Sequence, residues 1–178
     1  MEMIEKRIDR KDVFEGHVFK VYLDKAEIAD GSIRPREVVE HDGGVAVVAV
    51  DDDNGIYIVR QFRYAVGKVM LEIPAGKLEK GEDPLSAAKR ELSEETGFTA
   101  KEWTNLGEMY PTPGYCSEKL YVFLARGLTA GEMHLDDGEI LTAEKMELSE
   151  AVKMIMNCEI SDAKTVFGVL KADKLING

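Results

Sequence analysis

Between Gly76 and Phe98 the chain specifies one helix and loads its C-terminal end with acid. Asp83 is placed to cap it, Pro84 suits the first helical position, and Gly97 sits where a left-handed residue ends a helix, so the spacing predicts a helix over about 84–96. Leu85, Ala88, Leu92 and Thr96 recur at intervals of three and four and make one buried stripe. Glu91 and Glu95 border that stripe one turn apart, with Glu94 just beyond. Like charges at such spacings cost roughly 0.2–0.5 kcal/mol per pair, and the helix dipole also disfavours anions in the last turns. A cation relieves both penalties. Oxygen donors with no His or Cys nearby select Mg²⁺ or Mn²⁺ over zinc. The competing account of such a helix is a solvated acidic face.

A chain of 178 residues, 44% of them apolar, reads as globular and long enough to bury a core. The net charge of −11 argues against a nucleic-acid surface, which needs a basic stripe to displace counterions. It leaves room for an anionic small substrate approached through metal, because a local pocket can invert the global sign. Cys116 and Cys158 are too few and too far apart for a metal knuckle or a disulfide framework, which points to reduced thiols and a cytoplasmic location. The charged opening stretch lacks the apolar core of a signal peptide, and the longest strongly apolar run, Val45 to Val50, has the length of a strand. Neither export nor a membrane partner is expected.

Along the chain, residues 13–40 are strand-like around the turn Ala29-Asp30-Gly31-Ser32, which predicts a small antiparallel N-terminal sheet. Val45 to Val50 and Ile56 to Gln61 form a hairpin pattern about Asp51–Gly55, and further strands are expected at Val69–Ile73, Thr104–Tyr110, Lys119–Ala125 and Leu141–Glu147. Ser149 is read as the cap of a helix carrying Val152, Ile155 and Met156, and Ser161 or Asp162 as the cap of another with Val166, Val169 and Leu170. Met154 and Met156 are assigned to core packing, as is Trp103. His17, His41 and His134 match no nucleophile or metal constellation. The expected division is a β-subdomain over 1–42 and a catalytic domain over 43–178.

Gly76, Glu82 and the run Arg90-Glu91-Leu92-Ser93-Glu94-Glu95-Thr96-Gly97-Phe98 match every fixed position of G-x5-E-x7-R-E-U-x-E-E-x-G-U, where U is aliphatic or aromatic. A chance match per window is on the order of 10⁻⁸ at ordinary composition. The chain resembles the Nudix hydrolases. That resemblance implies an α/β/α sandwich with a mixed sheet, to which the N-terminal antiparallel sheet is added, and a reaction in which a nucleoside diphosphate linked to another group is hydrolysed. Three further segments, Arg60–Tyr64, Leu71–Gly76 and Tyr110–Glu118, are similar to the ADP-ribose pyrophosphatase branch, as are Pro113 sixteen residues after Gly97, the stretch Ile160–Thr165, and Arg36-Glu37-Val38-Val39.

Carried onto this sequence, the resemblance implies that Glu91, Glu94, Glu95 and the carbonyl of Ala75 hold two or three Mg²⁺, or Mn²⁺, per site. Arg63 resembles an arginine that holds a phosphate, a role suited to its planar fork of donors. Arg36 resembles one that stacks on adenine, with Phe19 a candidate for the opposite face. Glu72, Pro113, Gly114 and Glu118 complete the expected substrate contacts. The acidic, Gly-hinged loop Leu135–Ile140 is similar to one that delivers a catalytic glutamate, which makes Glu139 the expected general base and Asp137 the second choice. Glu94 and Arg90 join the catalytic set, Arg90 by pairing with Glu94 or Glu82 and orienting the ligands. The resemblance also implies a homodimer. The expected reaction is Mg²⁺-dependent cleavage of ADP-ribose to AMP and ribose 5-phosphate. The alternatives are another nucleoside diphosphate sugar such as GDP-mannose, or a nucleotide sensor that keeps the fold without hydrolysis.

Overall fold

The computed structural model describes residues 3–136 and 138–178, which form two compact units, one of residues up to 43 with 110–119 and the other of 44–109 with 120–178. In the smaller unit β1 (Lys6–Glu15), β2 (Phe19–Glu27) and β3 (Ile33–His41) make an antiparallel sheet in that order. The β2–β3 turn is closed by Asp30, whose Oδ1 accepts the Ser32 N–H at 2.8 Å. This sheet begins earlier than apolar alternation indicates. Strand β1 runs through charged residues because Arg10 donates twice to the buried Asp24 of β2, at 2.8 Å each, with its guanidinium 3.8 Å from the centre of the Tyr22 ring. Residues 110–119, which the sequence groups with the catalytic domain, run beside β3: the Val39 N–H donates to Tyr115 O and the Ser117 N–H to Val39 O.

The larger unit is built on β4 (Gly44–Val50), in which every residue is buried. Such a strand needs cover on both faces, and the alternation of its side chains shows how it gets it. Ala46, Val48 and Val50 join one apolar cluster, while Val45, Val47 and Ala49 join another with Ala87, Ala88 and Leu92. The sheet continues with β5 (Gly55–Arg63), β6 (Lys68–Glu72) and β7 (Ala75–Lys77) before helix α1 (Pro84–Thr96), then β8 (Phe98–Met109), β9 (Leu120–Ala130) and β10 (Leu141–Glu147), followed by α2 (Leu148–Met156) and α3 (Ala163–Asn177). Strand order is β10-β5-β4-β9-β8, with β6 on β5 and β7 on β4; β4 and β9 are parallel and the other pairs antiparallel. Helix α1 covers one face and α2 with α3 the other, so the expected α/β/α sandwich with a mixed sheet is present.

Helix α1 has the expected ends. Asp83 accepts the Ser86 N–H at 3.0 Å, and Gly97 closes the helix at φ 73°, a conformation that only glycine adopts without cost. Three local expectations change. Strand β8 starts at Phe98 rather than Thr104, extending through polar residues paired to β9. The first helix residue after β10 is Leu148, and its cap position is Glu147, with no side-chain capping bond, so Ser149 lies inside the helix. Met154 packs against the core, but Met156 is 71% exposed and contributes no packing there. Trp103 does pack, edge-on to Phe123 at 6.4 Å, with its indole N–H donating to Ala100 O. Among the described residues no helix is long and apolar enough to cross a membrane.

Candidate active site

The buried row of α1 is Ala87, Ala88, Glu91, Leu92 and Glu95, so two glutamates one turn apart share the face that meets the sheet. Glu95 is 3% exposed, and its Oε2 accepts the Ala75 N–H at 2.9 Å. That single backbone bond leaves most of a buried carboxylate's acceptor capacity unused, which is costly when the group is ionised. Burial pushes the Glu95 carboxyl up to about 8, with the charges of Glu91 and Glu139 adding to the rise and the Ala75 N–H and Arg63 opposing it. Glu91 is raised as well, chiefly by burial and against the opposing pull of Arg90.

Arg90 draws the neighbouring carboxylates together. Its Nη1 donates to Glu91 at 2.8 Å and Glu94 at 3.0 Å, its Nε and Nη2 donate to Glu82 at 3.1 and 3.0 Å, and Nη2 also reaches Lys77 O. The Glu82 bonds, ahead of those to Glu91 and Glu94, hold the guanidinium firmly protonated. Among the described residues no three His, Cys, Asp or Glu side chains stand together as a ready cage. The donor chemistry nevertheless fits a hard divalent cation: two buried carboxylates one turn apart, both pushed toward the neutral form, with Glu94 beside them and the Ala75 carbonyl on the adjoining strand.

Gly76 is required by this packing. A Cβ there falls onto the Glu91 carboxylate. Because that carboxylate is the end of a flexible side chain, Gly76→Ala is expected to fold with little change in Tm while displacing Glu91. Metal affinity, followed by Mn²⁺ titration, should fall by roughly 10–100-fold, the scale on which ligand-orienting contacts matter. Unchanged affinity would remove Gly76 from the site.

A second cluster lies in the same unit. Arg63, at the end of β5, donates from Nε and Nη2 to the two oxygens of Glu72 at 2.7 Å each. Glu72 is 1% exposed, and Lys164 of α3 contacts its Oε2 as well. Burial alone raises the Glu72 carboxyl, but the hydrogen bond from Arg63 and the charge and hydrogen bond of Lys164 outweigh it and hold the group below the usual range. Glu72, read from the sequence as a substrate contact, is thus held by two cations. Lys164 also lies 3.1 Å from Asp162, whose Oδ2 accepts the Thr165 N–H and hydroxyl. The Thr165 Oγ1 in turn accepts the Ile73 N–H at 2.9 Å.

The sequence reading placed Asp162, Lys164 and Thr165 in the stretch Ile160–Thr165 that carries the resemblance, but gave Lys164 and Thr165 no role and Asp162 only that of a cap. A usable signal was present: a cation in the first turn of a helix opposes the dipole and calls for an acidic partner.

The loop carrying Glu139 is tied to the end of α1. The Gly131 N–H donates to Gly97 O at 2.8 Å and the His134 N–H to Glu94 O at 3.0 Å. Glu139 is exposed, and its charge adds to the rise of the Glu91 and Glu95 carboxyls. Asp137 lies outside the described residues.

Arg36, Pro113, Gly114 and Glu118 belong to the smaller unit. Arg36 is held by Glu5 through two hydrogen bonds of 2.8 and 2.6 Å. Pro113 and Gly114 are exposed in a turn where the Cys116 N–H donates to Thr112 O, and Glu118 lies 3.9 Å from Nδ1 of His41. Phe19 stands opposite His41 on β3, while Arg36 stands opposite Asp24. Five residues along a strand is about 17 Å, so Phe19 and Arg36 of one chain do not form a sandwich for a base.

A buried acidic pair on the helix after a glycine-bearing strand, inside an α/β/α sandwich, defines the class of protein. Residues 40–166 match the NUDIX domain, and the chain belongs to that family. It is 42% identical over 167 residues to the ADP-ribose pyrophosphatase of Bacillus subtilis (strain 168), covering 93% of this chain and 90% of that one. It is 40% identical, with the same coverage, to the methanol dehydrogenase activator of Bacillus methanolicus. The crystal structure of an ADP compounds hydrolase superposes with a TM-score of 0.85 over 98% of this chain and 95% of that one, at 23% identity, a likeness of fold.

Proposed function

We propose that the chain is a Mg²⁺-dependent hydrolase that splits the pyrophosphate of ADP-ribose into AMP and ribose 5-phosphate. The observation that carries this is the buried pair Glu91 and Glu95, one turn apart and short of hydrogen-bonding partners, in the same unit as an arginine with a donor to spare. The likeness to the B. subtilis ADP-ribose pyrophosphatase supports the choice of substrate.

Glu91, Glu94, Glu95 and the Ala75 carbonyl hold the metal, two or three ions in turnover. Bound Mg²⁺ supplies Lewis acidity toward the pyrophosphate and makes water a better nucleophile at neutral pH. Arg63 binds a phosphate through Nη1, which makes no hydrogen bond among the described residues. Glu139 takes the proton of the attacking water as its oxygen bonds to phosphorus and the bridging P–O bond breaks. Arg90 orients the glutamates.

The smaller unit serves the adenine side and dimerisation: Ile8, Val13, Phe14, Leu23 and Ile33 are exposed on its sheet, apolar surface of the kind that marks an interface. The location that suits two widely spaced thiols is the cytoplasm, where they stay reduced.

A turnover panel with Mg²⁺ and product analysis tests the reading. ADP-ribose should show the highest kcat/KM, with AMP and ribose 5-phosphate as products. A clear preference for GDP-mannose or a dinucleoside polyphosphate refutes the substrate. No turnover of any nucleoside diphosphate derivative favours the sensor reading, which the complete Arg90–Glu91 and Glu94–Glu95 set opposes.

A further inference from the structure

Lysine is almost never buried without a partner, yet Lys164 is 9% exposed in the first turn of α3, where the helix dipole disfavours a cation. Two carboxylates hold it there, those of Glu72 and Asp162. Glu72 is the informative partner, because its Oε2 is shared between Lys164 and Arg63 Nη2. The four groups Arg63, Glu72, Lys164 and Asp162 carry two charges of each sign and balance. Arg63 is the one that reaches solvent, its side chain 39% exposed against 1% for Glu72 and 11% for Lys164.

We propose that Lys164 is a positioning residue for Arg63, acting through Glu72. The inference rests on the reading of Arg63 as the phosphate-binding arginine. Two consequences follow from the shared oxygen. Lys164 fixes the Glu72 carboxylate from behind, so the two parallel bonds from Arg63 fix the plane in which its remaining donor points. Lys164 also takes part of the Glu72 charge, so Arg63 is not fully neutralised by its own partner and keeps attraction for a phosphate. Without Lys164, Glu72 turns its whole charge on Arg63. The Asp162–Thr165–Ile73 chain of hydrogen bonds steadies the backbone that carries Glu72, so the start of α3 supports this corner by two routes.

The test is a double-mutant cycle read in kcat/KM and KM for ADP-ribose with Mg²⁺, using wild type, Arg63→Ala, Lys164→Met and the double variant. Arg63→Ala should raise KM by tenfold or more, about the worth of a hydrogen bond to a charged group. Lys164→Met should raise KM by about tenfold in the wild-type background and change kcat/KM by less than about twofold when Arg63 is already alanine. A purely structural lysine lowers Tm without this dependence on Arg63. If Lys164→Met fails to fold, Lys164→Gln, which removes the charge and keeps a polar side chain, is run through the same cycle with the same expectation. A KM unchanged by the lysine variant, or an effect that persists in full beside Arg63→Ala, overturns the inference and leaves the phosphate role of Arg63 standing. A KM unchanged by Arg63→Ala removes that role and the inference with it.

Discussion

Glu95→Gln is expected to fold and to lose turnover by about 100-fold or more, beyond what residues that only orient metal ligands cost. Two independent readouts follow from the burial of this carboxyl. The folded chain holds the Glu95 proton up to about pH 8, against an ordinary value of 4.5. Between those values the folded state binds a proton that the unfolded state has released, so stability falls as pH rises. The contribution of the neutral form is complete below 4.5 and is lost as pH climbs through about 8. Glutamine resembles the neutral acid in shape and still accepts from the Ala75 N–H. In EDTA, Glu95→Gln should therefore melt above wild type at pH 8 and approach it as pH falls below 4.5. Added Mg²⁺ should raise the wild-type Tm and leave that of the variant in place, since a ligand stabilises only the state that binds it. Wild-type activity in the variant, or the same metal-induced rise in Tm, sinks the assignment of Glu95 as a ligand.

The parts of this molecule that could be read from the sequence are those governed by local rules. Helix α1 was legible to the residue because Asp83, Pro84 and Gly97 each act within a few positions of chain. Strand β4 showed as an apolar run because both its faces are covered. Strand β1 was not legible, since what holds it is the Arg10 pairing with Asp24, fourteen residues away, and no apolar period reports a charge partner. The first half of β8 was missed for a related reason: its polar residues take their order from β9.

The candidate site divides in the same way. The α1 acids stand in the sequence as a spaced pattern, and the burial of Glu91 and Glu95 deepens that reading, because they lie in the covered row rather than at its border. The role of Glu72 was not visible. Ninety-two residues separate it from Lys164, and only the packing of α3 against the sheet reveals that its carboxylate is shared. Gly76 was visible as a motif position, but its reason, the Glu91 carboxylate lying against its Cα, is a fact of packing.

Glu139→Gln is the other substitution with a large expected effect. A positioned general base is worth about 10²–10⁴ in rate, so kcat should fall within that range while KM changes little, the pattern of a contact made only in the transition state. The chain leading into the loop is bound to the end of α1 through Gly131 and His134, and Glu139 is exposed, as a base that must release its proton to water needs to be. Mn²⁺ binding should survive the substitution, since the proposed ligands are on the helix and its adjoining strand. Asp137→Asn is the control for register, two residues away in the same loop. If that variant is dead while Glu139→Gln turns over normally, Asp137 is the base. If neither lowers kcat, proton transfer falls to the α1 glutamates, with Glu94 the first of them to test: of the three it is the most exposed, and Arg90 already holds it beside Glu91.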